Sequence, residues 1–469
     1  MMGWKKKLIE PGPVTWMIGL SAVILFGCSI LRHELFQSNA YDLGIFDQAI
    51  YLISQGQSPI SSFLDFHILG DHAAWIFYFL ALFYKIYPSV YWLFAVQAAA
   101  LALGAMPIWY LARHAGLAVQ QAIAVAAMYL LYPLVFNINL FDFHPEVIAV
   151  PALLGAVLAA RLERIGWFCL SIFLTLGCKA VLSLTVAALG VWLLVFEKKR
   201  RCGAIALVSG VVWFVIATKI VIPFFGGQAA SVERHIARYA YLGNSFSEIA
   251  QNFFLKPDLV LGQVFSLDNL GYLLLVIAPV LWGLSLQGMQ PLVGALPTLG
   301  LNLLADFPTQ KNLIHQYSLP AVPFLVLAVI SSLATNRGWL RNKRQIILWS
   351  LVAFMALAKY GYFWSIYLDS LDTWQATRQA IALVKTQGRV LTTAEIAPHL
   401  THRPVVKLTI AQSPPVNLVD FDYILLNVSH PGWLSHQEFA TDIVNQLKNT
   451  QLFQLRYQRD GIYLFVKSL

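Results

Sequence analysis

Two carboxylates, Asp42 and Asp47, stand in the run Tyr41-Asp42-Leu43-Gly44-Ile45-Phe46-Asp47-Gln48-Ala49-Ile50-Tyr51, just after the apolar stretch Val14–Leu31. A carboxylate held at a membrane–water boundary can act as general base on an acceptor hydroxyl. The plainer role for Asp42 is as N-cap of an amphipathic helix lying at the membrane surface and ending near Gly56. Further along lie Asp65-Phe66-His67, then Gly70-Asp71-His72, then Asp142-Phe143-His144-Pro145-Glu146. Pro145 with Glu146 behind it makes a good helix start. Asp142 and His144 could also hold a divalent cation or bind substrate together with His72, although neither spacing is diagnostic of a metal. Arg234 and Arg238, interleaved with tyrosines, and the set Lys311, His315, Gln316, Tyr317 suit a phosphate or pyrophosphate. A solvated charged face would have the same composition. Lys179 sits between two apolar runs and either contacts substrate or snorkels to the interface.

The elements that must position these residues are membrane spans. Hydrophobic residues make up 58% of the 469 and charged residues 12%, about half the roughly 25% of a soluble domain. Mean hydropathy is +0.65. An ordinary soluble enzyme, a disordered chain and a disulfide scaffold are excluded. The four cysteines lie in or beside apolar runs without metal-ligand spacing. The net charge of +9 does not indicate nucleic acid, because the basic residues cluster between apolar runs: Lys5–Lys7, Arg161/Arg164, Lys198–Arg201 and Arg337–Arg344. Such clusters mark cytoplasmic loops.

After Val14–Leu31, ten more runs approach the roughly 20 residues of a span: Val90–Ala112, Gln120–Phe136, Glu146–Ala160, Ile165–Cys178, Ala180–Phe196, Gly203–Phe224, Leu270–Leu286, Pro291–Ala305, Leu319–Ala334 and Gln345–Tyr367. Ala73–Tyr87 is short and carries Lys85. Treating it as re-entrant or interfacial puts every basic cluster inside, which gives about eleven spans plus one partial element. The N-terminus is then cytoplasmic. A cleavable signal peptide ending near Ser38-Asn39-Ala40 is the alternative, disfavoured by the long apolar run. With this parity, 33–72, 137–145, 226–268 and 306–318 face outward, and the Asp42, Asp142 and Arg238 groups share that side. Residues 1–367 form the membrane domain, with first outer loop 33–72. Residues 368–469 have ordinary charge and alternate strand with helix, as an extracytoplasmic α/β domain. Strands are expected near Arg389–Leu391, Val405–Thr409, Tyr423–Val428 and Gly461–Val466, and helices at Thr393–His399 and Ser435–Lys448.

A cytoplasmic-start span followed by an outer helix opened by Asp42 resembles the GT-C superfamily of membrane glycosyltransferases. More closely, the chain resembles the membrane family catalogued as domain of unknown function 2079. The shared pieces are Asp42 to Gln48, Gly70 with His72, Gln97, Asp142 to Glu146, Pro398-His399-Leu400 with Arg403, and Asp422 to Leu426. The resemblance implies an α-helical polytopic membrane protein with a GT-C-like core. It also implies a polyprenyl-phosphate-linked sugar donor, with membrane lipids as surroundings and Asp42 as catalytic base. It does not fix a role for Asp47. Where the family is expected to place acidic residues after the lysine, this chain has Lys179-Ala180-Val181. The expected activity is sugar transfer to an acceptor at the outer face of the cytoplasmic membrane. A transporter or lipid flippase would instead need charged residues along several mid-spans, and few are present. An inactive envelope scaffold is the third reading.

Overall fold

The structure, a computed structural model, describes residues 12–227, 236–413 and 416–468. It is a bundle of apolar helices with a small sheet domain at one end. Among the described residues four helices are long and apolar enough to cross a bilayer: Pro13–Glu34, Tyr91–His114, Arg200–Gly226 and Gln316–Ala334. Three bent pairs raise the number to as many as seven, and Ile165–Cys178 and Leu182–Val195 are shorter apolar helices. The bends have local causes. Tyr132, before Pro133, is held extended (ψ 122°) because the proline ring excludes the helical conformation there. The chain turns by 41° at that point. The partial element expected at Ala73–Tyr87 is the 11-residue helix Ile76–Ile86. At 1.5 Å per residue it is about 16 Å long, too short for a ~30 Å hydrocarbon core.

The basic loops around His114, Arg161, Lys199 and Arg341 gather at one end of the bundle, while Lys5–Lys7 lies outside the described residues. Arg161 pairs with Glu197 (2.7 Å) and Lys199 with Glu163 (2.8 Å), while His114 feels Arg161, Lys199 and Glu197. Gln121 donates to the Arg341 carbonyl (3.3 Å). Helix Glu146–Arg161 has 16 residues, so Glu146 lies about 23 Å from Arg161 along its axis, at the opposite end.

The segment after the first helix differs from the surface helix expected there. Asn39, not Asp42, caps it: the Asn39 side chain accepts the Tyr41 amide N–H (2.9 Å). A π-turn, Ala40–Gly44, carries Asp42 and leads into helix Ile45–Ser54. That helix does not lie on a surface, for Ile45 through Leu52 are all buried. Phe46 packs on Phe77 of the short helix (ring centroids 5.2 Å) and on the His144 ring (5.8 Å), and the sheet domain covers another face.

A hairpin, β1 (Ile60–Ser61) and β2 (Phe66–His67), precedes that domain. The domain comprises β3 (Val390–Thr392), β4 (Val406–Leu408), β5 (Tyr423–Asn427), β6 (Phe453–Arg459) and β7 (Ile462–Lys467), in the order β4-β3-β5-β7-β6. The β3–β4 and β3–β5 pairs are parallel; β5–β7 and β6–β7 are antiparallel. Alternation along the strands builds two cores. Val390, Val406, Leu425 and Leu464 meet Ala376 and Ala380 of helix Leu371–Ala382, whereas Leu391, Ile424 and Phe465 meet Ile443 and Leu447 of helix Gln437–Lys448. β6 and helix Leu371–Ala382 went unread in the sequence because both are largely polar on their exposed faces.

The first of these cores also takes in Ala40, and polar contacts extend the junction. Gln48 Nε2 donates to the Arg403 carbonyl (3.1 Å), and Ser62 Oγ donates to the Val406 carbonyl (2.8 Å) and accepts its N–H (2.9 Å). Asp47 is closed in by Tyr84, Thr401 and His402, whose Nε2 lies 3.2 Å away. Burial lowers the His402 pKa, but the charge and hydrogen bond of Asp47 overcome this and hold it above 6.5. A value raised on folding gives stability that is complete below the unfolded value near 6.5 and lost as pH rises through the folded value. The melting temperature in detergent should therefore fall on raising the pH from about 6 to about 8. His402→Gln should flatten that component of the profile; an unchanged slope would remove His402 from the junction's energetics.

Candidate active site

The site is organised by Arg32, in the last turn of the first helix, and Asp142, in the turn before Glu146. The Arg32 guanidinium binds both carboxylate oxygens of Asp142, one at 3.1 Å. The Asp142 side chain has 0% exposure, and its carboxylate also accepts the Asn39 N–H at 2.8 Å. Asp142 has φ +90°, a costly backbone for a residue with a Cβ, kept only where the surroundings over-determine it. Arg32 and Asn39 supply that determination. The Asn39 that caps the π-turn is thus fixed from its amide side by Asp142.

With Asp142 committed to Arg32, a different carboxylate is available. Asp42 Oδ1 lies 3.3 Å from His144 Nε2, with Asp42 21% exposed and His144 2%. Gln97 Oε1 accepts the His144 backbone N–H (3.2 Å) and Phe141 stacks on its ring (5.3 Å). Phe141 also meets the His315 ring (4.3 Å), and His315 lies 6.3 Å from Tyr317. Burial lowers the His315 pKa, partly countered by the charge of Asp42, so its ring tends to stay neutral.

Two basic groups connect to this pair through intermediate residues. Lys179, in extended conformation after helix Ile165–Cys178, donates to Glu146 at 2.7 Å. It also senses the charges of Tyr317 and Asp71, and Glu146 senses His144. Arg238 Nη2 reaches the Tyr317 hydroxyl (3.4 Å), with its guanidinium 5.1 Å from that ring and 4.8 Å from Phe307.

Asp42, Asp142, His144, Lys179, Arg238 and Tyr317 are therefore connected in one region. His72 is attached through its backbone carbonyl, which accepts the Ala180 N–H (2.9 Å), while its ring lies 3.2 Å from Asp71. Gln316 is buried, with its side-chain oxygen unpartnered. Lys311 lies apart, near Asp306 and Asp268; burial lowers its pKa against their opposing charges. Arg234 lies outside the described residues. Asp47 is turned into the junction and away from the Asp42–His144 pair. As for a cation, Asp142 is saturated by Arg32 and Asn39 and His144 faces Asp42, so the two do not offer a shared ligand position. Among the described residues no group of three or more His, Cys, Asp or Glu is arranged to hold a metal.

The sequence marks no partner for Arg32, and Glu146 stands there as a member of the Asp142–Glu146 cluster and a helix start. A basic residue ending a span reads as an interface anchor, and an acid behind Pro145 reads as a helix start. Arg32→Ala leaves a buried carboxylate unpaired and should cost about 3–5 kcal/mol of stability. Adding Asp142→Leu to Arg32→Met should recover part of it. Thermal unfolding of the single and double variants gives the coupling energy, and additive effects would show that the pair does not act as a unit.

The crystal structure of ArnT from Cupriavidus metallidurans bound to undecaprenyl phosphate superposes on this chain with a TM-score of 0.54 and 13% sequence identity, covering 97% of this chain and 98% of that one. The apo structure of the same protein matches with a TM-score of 0.46 and 10% identity, over 96% and 97% of the two chains. At such identity the first likeness establishes a shared fold and no more. No curated protein matches the chain. The profile of a family described as a predicted membrane protein (DUF2079) matches residues 32–464, a stretch that includes Arg32, Asp42, Asp142 and the sheet domain, and the chain belongs to that family of multi-pass membrane proteins.

Proposed function

We propose that this chain is a GT-C-type glycosyltransferase that moves a sugar from a polyprenyl-phosphate-linked donor to an acceptor hydroxyl at the outer face of the cytoplasmic membrane. The observation that carries the reading is the partly exposed Asp42 paired with the buried His144. Of the three aspartates considered, Asp142 has 0% exposure and is ion-paired, and Asp47 has 1% and is tied into the junction. Asp42, at 21%, keeps access to a substrate while His144 fixes its orientation.

In the reaction Asp42 takes the proton from the acceptor hydroxyl, whose oxygen attacks the anomeric carbon of the donor. The bond between that carbon and the phosphate oxygen breaks, and the bonding pair leaves with the polyprenyl phosphate. Lys179 and Arg238 oppose the charge that develops on it, and Tyr317 carries Arg238. Glu146 holds the Lys179 ammonium in place, and His144, on the neighbouring turn, orients Asp42 for one in-line displacement with inversion. Asp47 we assign to positioning: it anchors the helix that begins beside Asp42 to the sheet domain. The likeness to a fold solved with undecaprenyl phosphate supports a lipid of that class as carrier. Sidedness rests on the separation of Asp42 from the basic loops at the far end of the bundle. With that orientation the N-terminus is cytoplasmic and the sheet domain extracytoplasmic.

The test is turnover of polyprenyl-phosphate sugars by the reconstituted protein. Asp42→Asn should lower it by roughly 10²–10⁴-fold, as expected for loss of a general base, with donor binding retained. Lys179→Met should weaken donor binding instead. Equal turnover by wild type and Asp42→Asn would end the assignment of Asp42 as base.

A further inference from the structure

The tyrosines interleaved with Arg238 in the sequence have a structural use. Tyr239 and Tyr241 donate to the Leu301 and Leu304 carbonyls (3.2 and 3.0 Å), in the last turn of helix Leu296–Leu304. A helix end leaves its carbonyls open to such donors. The Asp306 N–H donates in turn to the Arg238 carbonyl (2.7 Å). The backbone at Arg238 is thus docked on a helix end, and its half-buried side chain is aimed by whatever meets the guanidinium.

What meets it carries no charge. Arg32 is paired with Asp142 and Lys179 with Glu146, but Arg238 has no carboxylate partner among the described residues. Its guanidinium packs over the Phe307 and Tyr317 rings and donates to Gln310 Oε1 (3.3 Å) and to the Tyr317 hydroxyl (3.4 Å). Both bonds are long beside the about 2.7–2.9 Å of a charge-assisted pair, and a guanidinium has further N–H donors to offer. The cation is therefore held in place with its charge unmatched.

The oxygen that holds it is oriented by a buried amide chain. Gln310 Nε2 donates to Asn302 Oδ1 (3.2 Å). Asn302 Nδ2 faces the Tyr272 hydroxyl (2.8 Å), the Tyr317 carbonyl (3.2 Å) and Ser318 Oγ (3.3 Å). Tyr272, Asn302, Gln310 and Ser318 are all buried. A backbone carbonyl can only accept, so the Tyr317 carbonyl turns the Asn302 amino group toward itself and the Asn302 oxygen toward Gln310. Gln310 must then donate backward through Nε2, which leaves Oε1 for Arg238. The chain of bonds runs in one direction and ends on a neutral oxygen. It also closes on itself, because the Tyr317 that sets Asn302 bears the hydroxyl that meets Arg238 Nη2.

We propose that Gln310, set by Asn302, is a positioning residue that holds Arg238 through a neutral oxygen and so leaves its charge for the phosphate of the lipid carrier. A carboxylate at position 310 would grip the guanidinium more tightly and cancel that charge. The proposal rests on the glycosyltransferase reading for the identity of the carrier, but binding is measured without turnover. The probes are undecaprenyl phosphate, undecaprenol and inorganic phosphate, each titrated against the detergent-solubilised full chain. Wild type should bind undecaprenyl phosphate about ten-fold or more tighter than undecaprenol, with inorganic phosphate a poor competitor. Gln310→Glu should weaken undecaprenyl phosphate binding about ten-fold, with undecaprenol binding and melting temperature not lowered. Gln310→Met, which removes the hold without adding charge, should weaken it several-fold, and this loss should vanish in an Arg238→Gln background. Undecaprenyl phosphate bound equally by wild type and both Gln310 variants would overturn the proposal. So would a loss shared by undecaprenol, a Gln310→Met effect that survives without Arg238, or inorganic phosphate that displaces the lipid mole for mole. Failure of the glycosyltransferase reading shows up elsewhere, as turnover that does not respond to Asp42→Asn.

Discussion

The ion pair between Arg32 and Asp142 is the constraint on which the site depends. Placing a guanidinium and a carboxylate in an apolar bundle costs several kcal/mol per ion unless their geometry and remaining hydrogen bonds are satisfied. Here they are: two contacts run from Arg32 and one from the Asn39 amide. The satisfied pair joins the end of the first helix to the turn before Glu146. By gripping the Asn39 amide it also fixes the start of the π-turn that carries Asp42. The positive φ of Asp142 is the local cost of that arrangement, offset by the contacts it permits.

From this pair the chemistry divides among neighbouring acids according to environment. Asp142 is spent on structure, Asp47 on the junction with the sheet domain, and Glu146 on holding Lys179. Asp42 alone of the four combines partial exposure with an orienting histidine. The same residue type thus serves as clamp, anchor or reactive group, depending on which donors the fold brings to it. The π-turn contributes as well. Its extra residue per turn re-aims the side chain relative to a regular helix, and such turns occur often at functional sites.

The sheet domain is fastened to the segments that flank Asp42. Ser62 occupies both hydrogen-bonding groups of Val406 on β4, an edge strand, and Ala40 enters the domain's core. An edge strand covered in this way is protected from pairing with other chains. A junction built of buried polar contacts holds position by direction as well as by area, which suits a domain whose task is placement.

Much of this was legible in the chain. The run of apolar segments determined a polytopic membrane protein, because a bilayer of fixed thickness leaves few other uses for them. Period-two patterning located four of the five strands of the terminal sheet, and Asp42, Asp142, His144 and Lys179 stood out as polar groups beside spans. What the sequence left open was which acid meets which base. Asp42 read more plainly as a helix cap, and only the tertiary structure gives that task to Asn39 and turns Asp42 to His144. Lys179 read as a substrate contact or a snorkelling lysine, and the fold pairs it with Glu146 of another helix. Arg32 gave no signal, since its partner lies 110 residues away. Composition and periodicity report how each segment meets its solvent, water or lipid. Pairing between segments is decided by packing, where the charge that is desolvated selects its partner from whatever the neighbouring helix presents.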